Sequence, residues 1–383
     1  MKPRLTYKTN LIAGVFLALL ACILVSCERS VETQDSTLKV GAILPLSGNF
    51  AIIGSAIRDG MLLAVEEFKH SSTIQVIFED DQSFRSSAAA NAASKLLNVD
   101  KVSVILNSVI GTAHPIAFLA SAKKVPVLII WDSSDVIEEL GEYVFGLGFK
   151  TELVGKEMAS FGFSELNLKK FGVVSAANEW SEVVAKAFSE EIKQLGGEIV
   201  LHERVSAEES DFKATILKIK SIGARAVFFP LFSRSLVNFV KQFRELAADA
   251  VLLTPDGFTE HDLKILGPNA EGIFVMQPWL DSENFRKKVE AKFYKTVSPS
   301  LLAFMGLGYD SIKLLSDLLK ASRAKAFNAY NEEFFSQEIK KGLPGFAFEG
   351  AFGRVEILPS RKTSRKMSIL KVEGGKFKLV KSF

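Results

Sequence analysis

The sequence predicts an α/β protein built on parallel sheets, and three observations carry that prediction. Short runs rich in Val, Ile and Phe recur along the chain: KVGAIL, IQVIFED, VSVILN, VPVLIIW, FGVVS, EIVLHERV, ARAVFF, AVLL and GIFVMQ. They are nearly continuously apolar, as strands are when both faces of a sheet are covered. Amphipathic stretches separate them, and almost every run ends at Gly, Pro, Ser, Asn or Asp, so the order reads strand, helix, strand.

Residues 11–27, LIAGVFLALLACILVSC, follow the basic residues Lys2, Arg4 and Lys8. The apolar run is shorter than the roughly 20 residues of a membrane span and no positive cluster follows it, so residues 1–26 read as a secretory signal. Its end, Leu24-Val25-Ser26-Cys27, resembles the bacterial lipobox, which implies acylation of Cys27 and attachment to a membrane. Residues 27–37 are polar and aperiodic, a tether. Without the signal the chain carries 44 basic and 44 acidic residues. That balance gives no electrostatic basis for nucleic-acid binding. Both cysteines, Cys22 and Cys27, lie in the signal region, so the body has no thiol for a disulfide, a metal or a nucleophile.

The alternation runs twice. The first series spans about 38–137 and includes a helical stripe of Ile57, Met61, Ala64, Val65 and Phe68. A join through 143–149 and a helix over 152–165 leads to the second series, about 169–275, with the stripe Val184, Phe188, Ile192 and Leu195. Asp211 is placed to cap a helix whose face carries Phe212, Ile216 and Ile219, and Gly223 ends it. After Gln277, helices are expected over 283–296 and 301–321, then a strand-rich tail. Two lobes with crossing connections fit this order; one continuous doubly wound sheet fits it too.

In open parallel sheets, ligands bind beyond the carboxyl ends of the strands. Those positions are 46–48, 107–112, 131–134, 178–180, 231–233, Asp256 and 277–279, and they hold all three tryptophans, Trp131, Trp180 and Trp279. This points to a cleft lined with aromatics. Chemistry is scarce by comparison. His70, His114, His202 and His261 lack metal-ligand spacing, and no nucleophile elbow, phosphate loop or GxGxxG pattern occurs. Glu79-Asp80-Asp81 reads as a solvated strand-end loop that caps the next helix. The expectation is a binding protein, not an enzyme, with no cofactor and no metal.

The segments KVGAILPLSGNFAIIGSAIRDGMLLAVEE, FEDDQS, VPVLIIWDSS, SDFKATILKIKSIGARAVFF and TPDG together resemble the type I periplasmic binding proteins. The branch is that of the leucine/isoleucine/valine-binding proteins of ABC importers. GYDSIKLLSDLL and FEGAFGRVEIL, with KMSILKVEGGKFKLV, resemble the family's closing helix and C-terminal strands. The resemblance implies two Rossmann-like lobes joined by three crossover strands. Lobe 1 would comprise 38–149 plus 278–330, and lobe 2 would comprise 150–277 plus 331–383. It implies ligand contacts from Ser108, Thr112, Trp131 and Ser133 of the first lobe and from Asp256 of the second. Where amino-acid binders place tyrosine, this chain has Ile53, Trp180 and Phe232, and Ile110 stands where a serine would help hold a carboxylate. A buried carboxylate short of donors costs roughly 1–3 kcal/mol per missing bond, so an amide or an organic acid is as good a candidate as an amino acid. The implied function is a lipid-anchored, extracytoplasmic solute-binding protein that delivers a small molecule to an ABC permease and ATPase. It would be held to the cell membrane or outer membrane. The alternative is a ligand-sensing or regulatory envelope lipoprotein on the same scaffold.

Overall fold

The computed structural model describes residues 37–383 except 71–72, 294–295, 324–331, 364 and 366. The expected signal and Cys27 lie outside the described residues.

Two separate sheets exclude the single-sheet alternative. The first is made of β1 (Leu38–Leu44), β2 (Ile74–Asp80), β3 (Val104–Asn107), β4 (Val127–Ile129) and, after the short β5 (Asp132–Ser133), β6 (Val144–Gly146). Its order is β2-β1-β3-β4-β6 and every pairing is parallel. β7 (Phe149–Lys150) pairs with β5 and leads out of the lobe. The second sheet contains β8 (Lys170–Ala176), β9 (Glu198–Val205), β10 (Ala226–Phe228), β11 (Val251–Thr254) and β12 (Phe274–Gln277). They are wound in the same order as the first sheet, β9-β8-β10-β11-β12. A hairpin of β13 (Ala347–Gly350) and β14 (Gly353–Glu356) precedes β15 (Ser368–Glu373) and β16 (Lys376–Ser382). These last two extend the second sheet in antiparallel fashion.

The helices are α1 (Ala51–Phe68), α2 (Ser86–Lys95), α3 (Ala113–Ala122), α4 (Val136–Glu139), α5 (Thr151–Ser160), α6 (Glu179–Gln194), α7 (Lys213–Ile222), α8 (Ser233–Glu245), α9 (Glu260–Leu266), α10 (Glu283–Phe293), α11 (Pro299–Arg323) and α12 (Glu332–Gly342). Ile57, Met61 and Ala64 of the α1 stripe are buried, as are Val184, Phe188 and Ile192 of α6. α1 and α11 cross backbone to backbone. A Cβ at Gly60 would strike the Met305 carbonyl, and one at Gly308 would strike that of Ile57.

The helix expected over 152–165 is α5 followed by a wider π turn, Phe161–Glu165. Asp211 Oδ1 accepts from Lys213 N–H at 3.2 Å beside the head of α7, and Gly223, at φ +73°, ends that helix.

The division expected at 330/331 is displaced. α12 packs on the first lobe, where the Ser336 hydroxyl donates to Ser103 O at 2.8 Å. The β13–β14 hairpin lies against α11, with Ala351 N–H donating to Asp310 Oδ1 at 2.6 Å. Arg361 donates to Val144 O of the first sheet at 3.1 Å. Of the tail, only β15 and β16, from Ser368 onward, join the second sheet. An amphipathic helix is apolar toward any core, so its sequence does not say which lobe it covers.

The Glu79-Asp80-Asp81 run is not solvated throughout. Asp81 is fully buried and braces the loop after β2, while α2 has no side-chain cap.

Candidate functional site

Each lobe holds its cavity-facing aromatics on a constrained loop. In the first lobe, Asp80 Oδ1 accepts from Leu46 N–H (2.9 Å) and Gln82 N–H (2.8 Å). Asp81 Oδ1 accepts from Phe84 N–H (2.8 Å), and its Oδ2 from the Ser108 hydroxyl (3.1 Å). Between these anchors Gln82, Ser83 and Phe84 all lie in the left-handed region, at φ +58°, +61° and +68°. Such conformations cost about 1–3 kcal/mol each and persist where the surroundings over-determine them. The Ser83 hydroxyl donates to Ser47 O and accepts from Phe50 N–H, tying this loop to the one after β1. The outcome is a contiguous aromatic wall. The Phe84 ring lies 4.6 Å from Phe50 and 5.8 Å from Trp131.

In the second lobe, Asn178 caps α6 by accepting from Ser181 N–H at 3.0 Å, which places Trp180 in the first turn. Phe232 precedes Ser233, another non-glycine residue at positive φ (+53°), and heads α8. The Trp180 and Phe232 rings are 6.1 Å apart.

These walls enclose a cavity of about 290 Å³ lined from both lobes. Phe50, Phe84, Ser86, Val109, Gly111, Trp131 and Asp132 come from the first lobe; Asn178, Trp180, Phe232, Asp256 and Gly257 come from the second. The lobes touch across it. Trp131 Nε1–H donates to Asp256 Oδ2 at 3.1 Å, the Phe50 and Phe232 rings are 6.3 Å apart, and His114 Nδ1 lies 3.8 Å from Glu179 Oε2.

The electrostatics are one-sided. Asp256 is 6% exposed and its Oδ1 has no hydrogen-bond partner. Burial pushes its carboxyl up to about 6, against the pull of the Trp131 hydrogen bond. Asp132 is 5% exposed and its Oδ1 accepts from Ile110 N–H at 2.8 Å. Burial raises this carboxyl well above its ordinary range despite the Ile110 hydrogen bond, and the nearby Asp256 and Glu179 charges add to the rise. Among the described residues lining the cavity there is no Lys, Arg or His. No group of three or more potential metal ligands occurs among the described residues.

Of the residues expected to meet a ligand, Trp131, Trp180, Phe232 and Asp256 come together on the cavity wall. Ile53, in the first turn of α1, lines a small adjoining chamber that also reaches Asp256. Three hydroxyls expected as ligand donors are not among the lining residues. Ser108 is spent on Asp81. The Thr112 hydroxyl donates within its own loop, to Asn107 Oδ1 and Val109 O, both at 3.2 Å. Ser133 is fully buried, packed under Gly146, and its hydroxyl has no partner. Trp279 is half-buried and does not line the cavity.

Sequence reasoning missed Phe50, Phe84, Asp132 and Asn178 as lining residues. Asp132 and Asn178 stand at strand ends it inspected, and nothing in the residue types marked them out. Phe84 reaches the wall through a run of left-handed residues that no glycine announces.

Two α/β lobes with a cavity walled by residues of both make the architecture of the type I periplasmic binding fold. The chain belongs to the periplasmic binding protein family, whose model matches residues 37–376, in the leucine/isoleucine/valine-binding branch. It is 26% identical over 324 residues to Leu/Ile/Val-binding protein homolog 6 of Brucella suis biovar 1 (strain 1330), covering 81% of this chain and 82% of that one. The leucine-binding protein LivK of Thermotoga maritima MSB8 has the same fold, with TM-score 0.78 and 22% identity over 90% of this chain and 98% of that one. So does a solute-binding protein of an ABC transporter from R. palustris, solved with 4-hydroxybenzoate, with TM-score 0.79 and 22% identity over 91% and 97%. Membership in this family implies an exported chain.

Proposed function

We propose that this protein captures a small organic molecule in the interlobe cavity and presents it to an ABC permease and ATPase. In this reading the chain is exported, cleaved before Cys27 and anchored by lipid on that residue. The observation that carries it is the cavity itself: residues of both lobes wall it, and two contacts, Trp131 to Asp256 and Phe50 to Phe232, already span them. A guest touching both walls would favour the state in which the lobes meet, because a ligand shifts a conformational equilibrium by its differential affinity for the two states.

Trp131, Trp180, Phe232, Phe50 and Phe84 supply the apolar walls and Asp256 the polar anchor. Ile53 closes the adjoining chamber. Ser108 and Thr112 shape the loops that present these side chains.

Mass spectrometry of small molecules released from the purified protein, with thermal-shift screening of amino acids, amines, amides and organic acids, tests the reading. A stabilising compound of low molecular mass is expected. A folded chain that carries no small molecule and is stabilised by none of these classes would sink it.

A further inference from the structure

The cavity's polar groups define what kind of head a guest can bring. We propose that the ligand is a primary or secondary amine without a carboxylate, its ammonium held by Asp256 and Asp132 among the aromatic rings. This deepens the solute-binding reading and rests on it.

Three observations converge. Asp256 lines the cavity and its buried Oδ1 has no partner in the protein, so a donor on a guest that reaches this oxygen completes it. Next, the backbone N–H that could take an anion at the head of the turn into α3, that of Ile110, is already occupied by the chain's own carboxylate, Asp132 Oδ1 at 2.8 Å. That N–H is therefore not free for a ligand carboxylate, which would also lie beside two buried acids, and like charges at close range disfavour ionisation of both. Finally, the rings of Phe50, Phe84, Trp131, Trp180 and Phe232 form a linked set, with neighbouring centroids 4.6 to 6.4 Å apart. Such a set attracts a cation through the ring faces. Asn178 Nδ2 is a buried donor without a partner on the same wall. It suits an uncharged acceptor on the guest, such as a hydroxyl or carbonyl. A quaternary ammonium has no N–H for Asp256 Oδ1, which sets the preference for primary and secondary amines.

The titratable groups around the two acids are few. Glu179 stands at the head of α6 with His114 3.8 Å away, and Glu260 and His261 line the adjoining chamber on the far side of Asp256. No Lys or Arg lines either space among the described residues. An amine remains charged throughout the neutral range, so its affinity follows ionisation of Asp256. It tightens as pH rises through about 6.

Calorimetric titration of the full mature chain with phenethylamine, phenylalanine and phenylpropanoate compares three heads on one hydrocarbon. Phenethylamine is expected to bind at least about tenfold tighter than phenylalanine, with no detectable binding of phenylpropanoate. Its affinity should rise about tenfold between about pH 5 and about pH 7. Asp256→Asn should weaken it at least about tenfold and flatten the pH dependence while the circular dichroism spectrum is unchanged. Asp132→Asn keeps an oxygen for Ile110 N–H and should reduce amine affinity without loss of fold. Tighter binding of phenylalanine or phenylpropanoate, or affinity that rises as pH falls, overturns the amine assignment and leaves solute capture standing. If none of the three binds, the head group of the molecule released from the purified protein decides: an amine supports the assignment and a carboxylate overturns it. If no molecule is released either, solute capture fails with it.

Discussion

Two of the carboxylates buried in this molecule, Asp310 and Asp256, are surrounded by the chain in different ways. Asp310 on α11 is 1% exposed. It accepts from Arg365 Nη2 at 2.7 Å and from Ala351 N–H at 2.6 Å, and the guanidinium lies 5.0 Å above the Phe352 ring. Asp256 is nearly as buried, yet it receives a single indole N–H and keeps one oxygen without a partner. The first acid meets its counter-charge in the segment that crosses between the lobes. The second faces a cavity. Burial alone therefore does not distinguish a structural charge from a functional one; the supply of donors does.

Removing the counter-charge should have the largest effect. Arg365→Met leaves Asp310 buried beside a single amide, and a loss of about 3–5 kcal/mol in urea unfolding is expected; a loss below about 1 kcal/mol would erase the contrast. Asp256→Asn should act in the opposite direction. The Asp256 carboxyl is raised in the folded state, so that state binds more protons than the unfolded chain between about pH 4 and about pH 6. Stability is lost as pH rises through that window and the penalty is complete above it. The variant escapes this and should gain on the order of 3 kcal/mol at pH 7 without ligand, the gap closing below about pH 4. A destabilised variant would show that Asp256 is a structural acid after all.

Trp131→Phe takes away the one donor to Asp256. A cost of about 1–3 kcal/mol is expected at neutral pH, less near pH 5 where the acid is protonated, read from paired denaturation curves. The smallest effect belongs to an ion pair outside this contrast. Lys218 and Glu203 are 2.9 Å apart with the lysine about half exposed, and Lys218→Ala should change unfolding free energy by less than about 1 kcal/mol.

The parts of this arrangement differed in how far the residues announced them. Strand boundaries were legible where apolar runs met turn residues, and 74–80 and 198–205 coincide with β2 and β9. Trp131, Trp180 and Phe232 were legible as candidates because strand ends are predictable positions. Phe84 was not, since its place depends on three left-handed residues held by Asp80 and Asp81. The role of Asp132 was hidden for a related reason: its partner, Ile110 N–H, belongs to a loop 22 residues earlier in the chain. Loops that meet only after folding leave no periodic trace.

The crossing of α1 and α11 has a consequence for how the polypeptide is made. Gly60 lies against a carbonyl roughly 245 positions downstream, so the N-terminal half must wait for late-synthesised residues before its own layer is sealed. A fragment ending before α11 should accordingly be digested by protease under conditions where the whole chain survives.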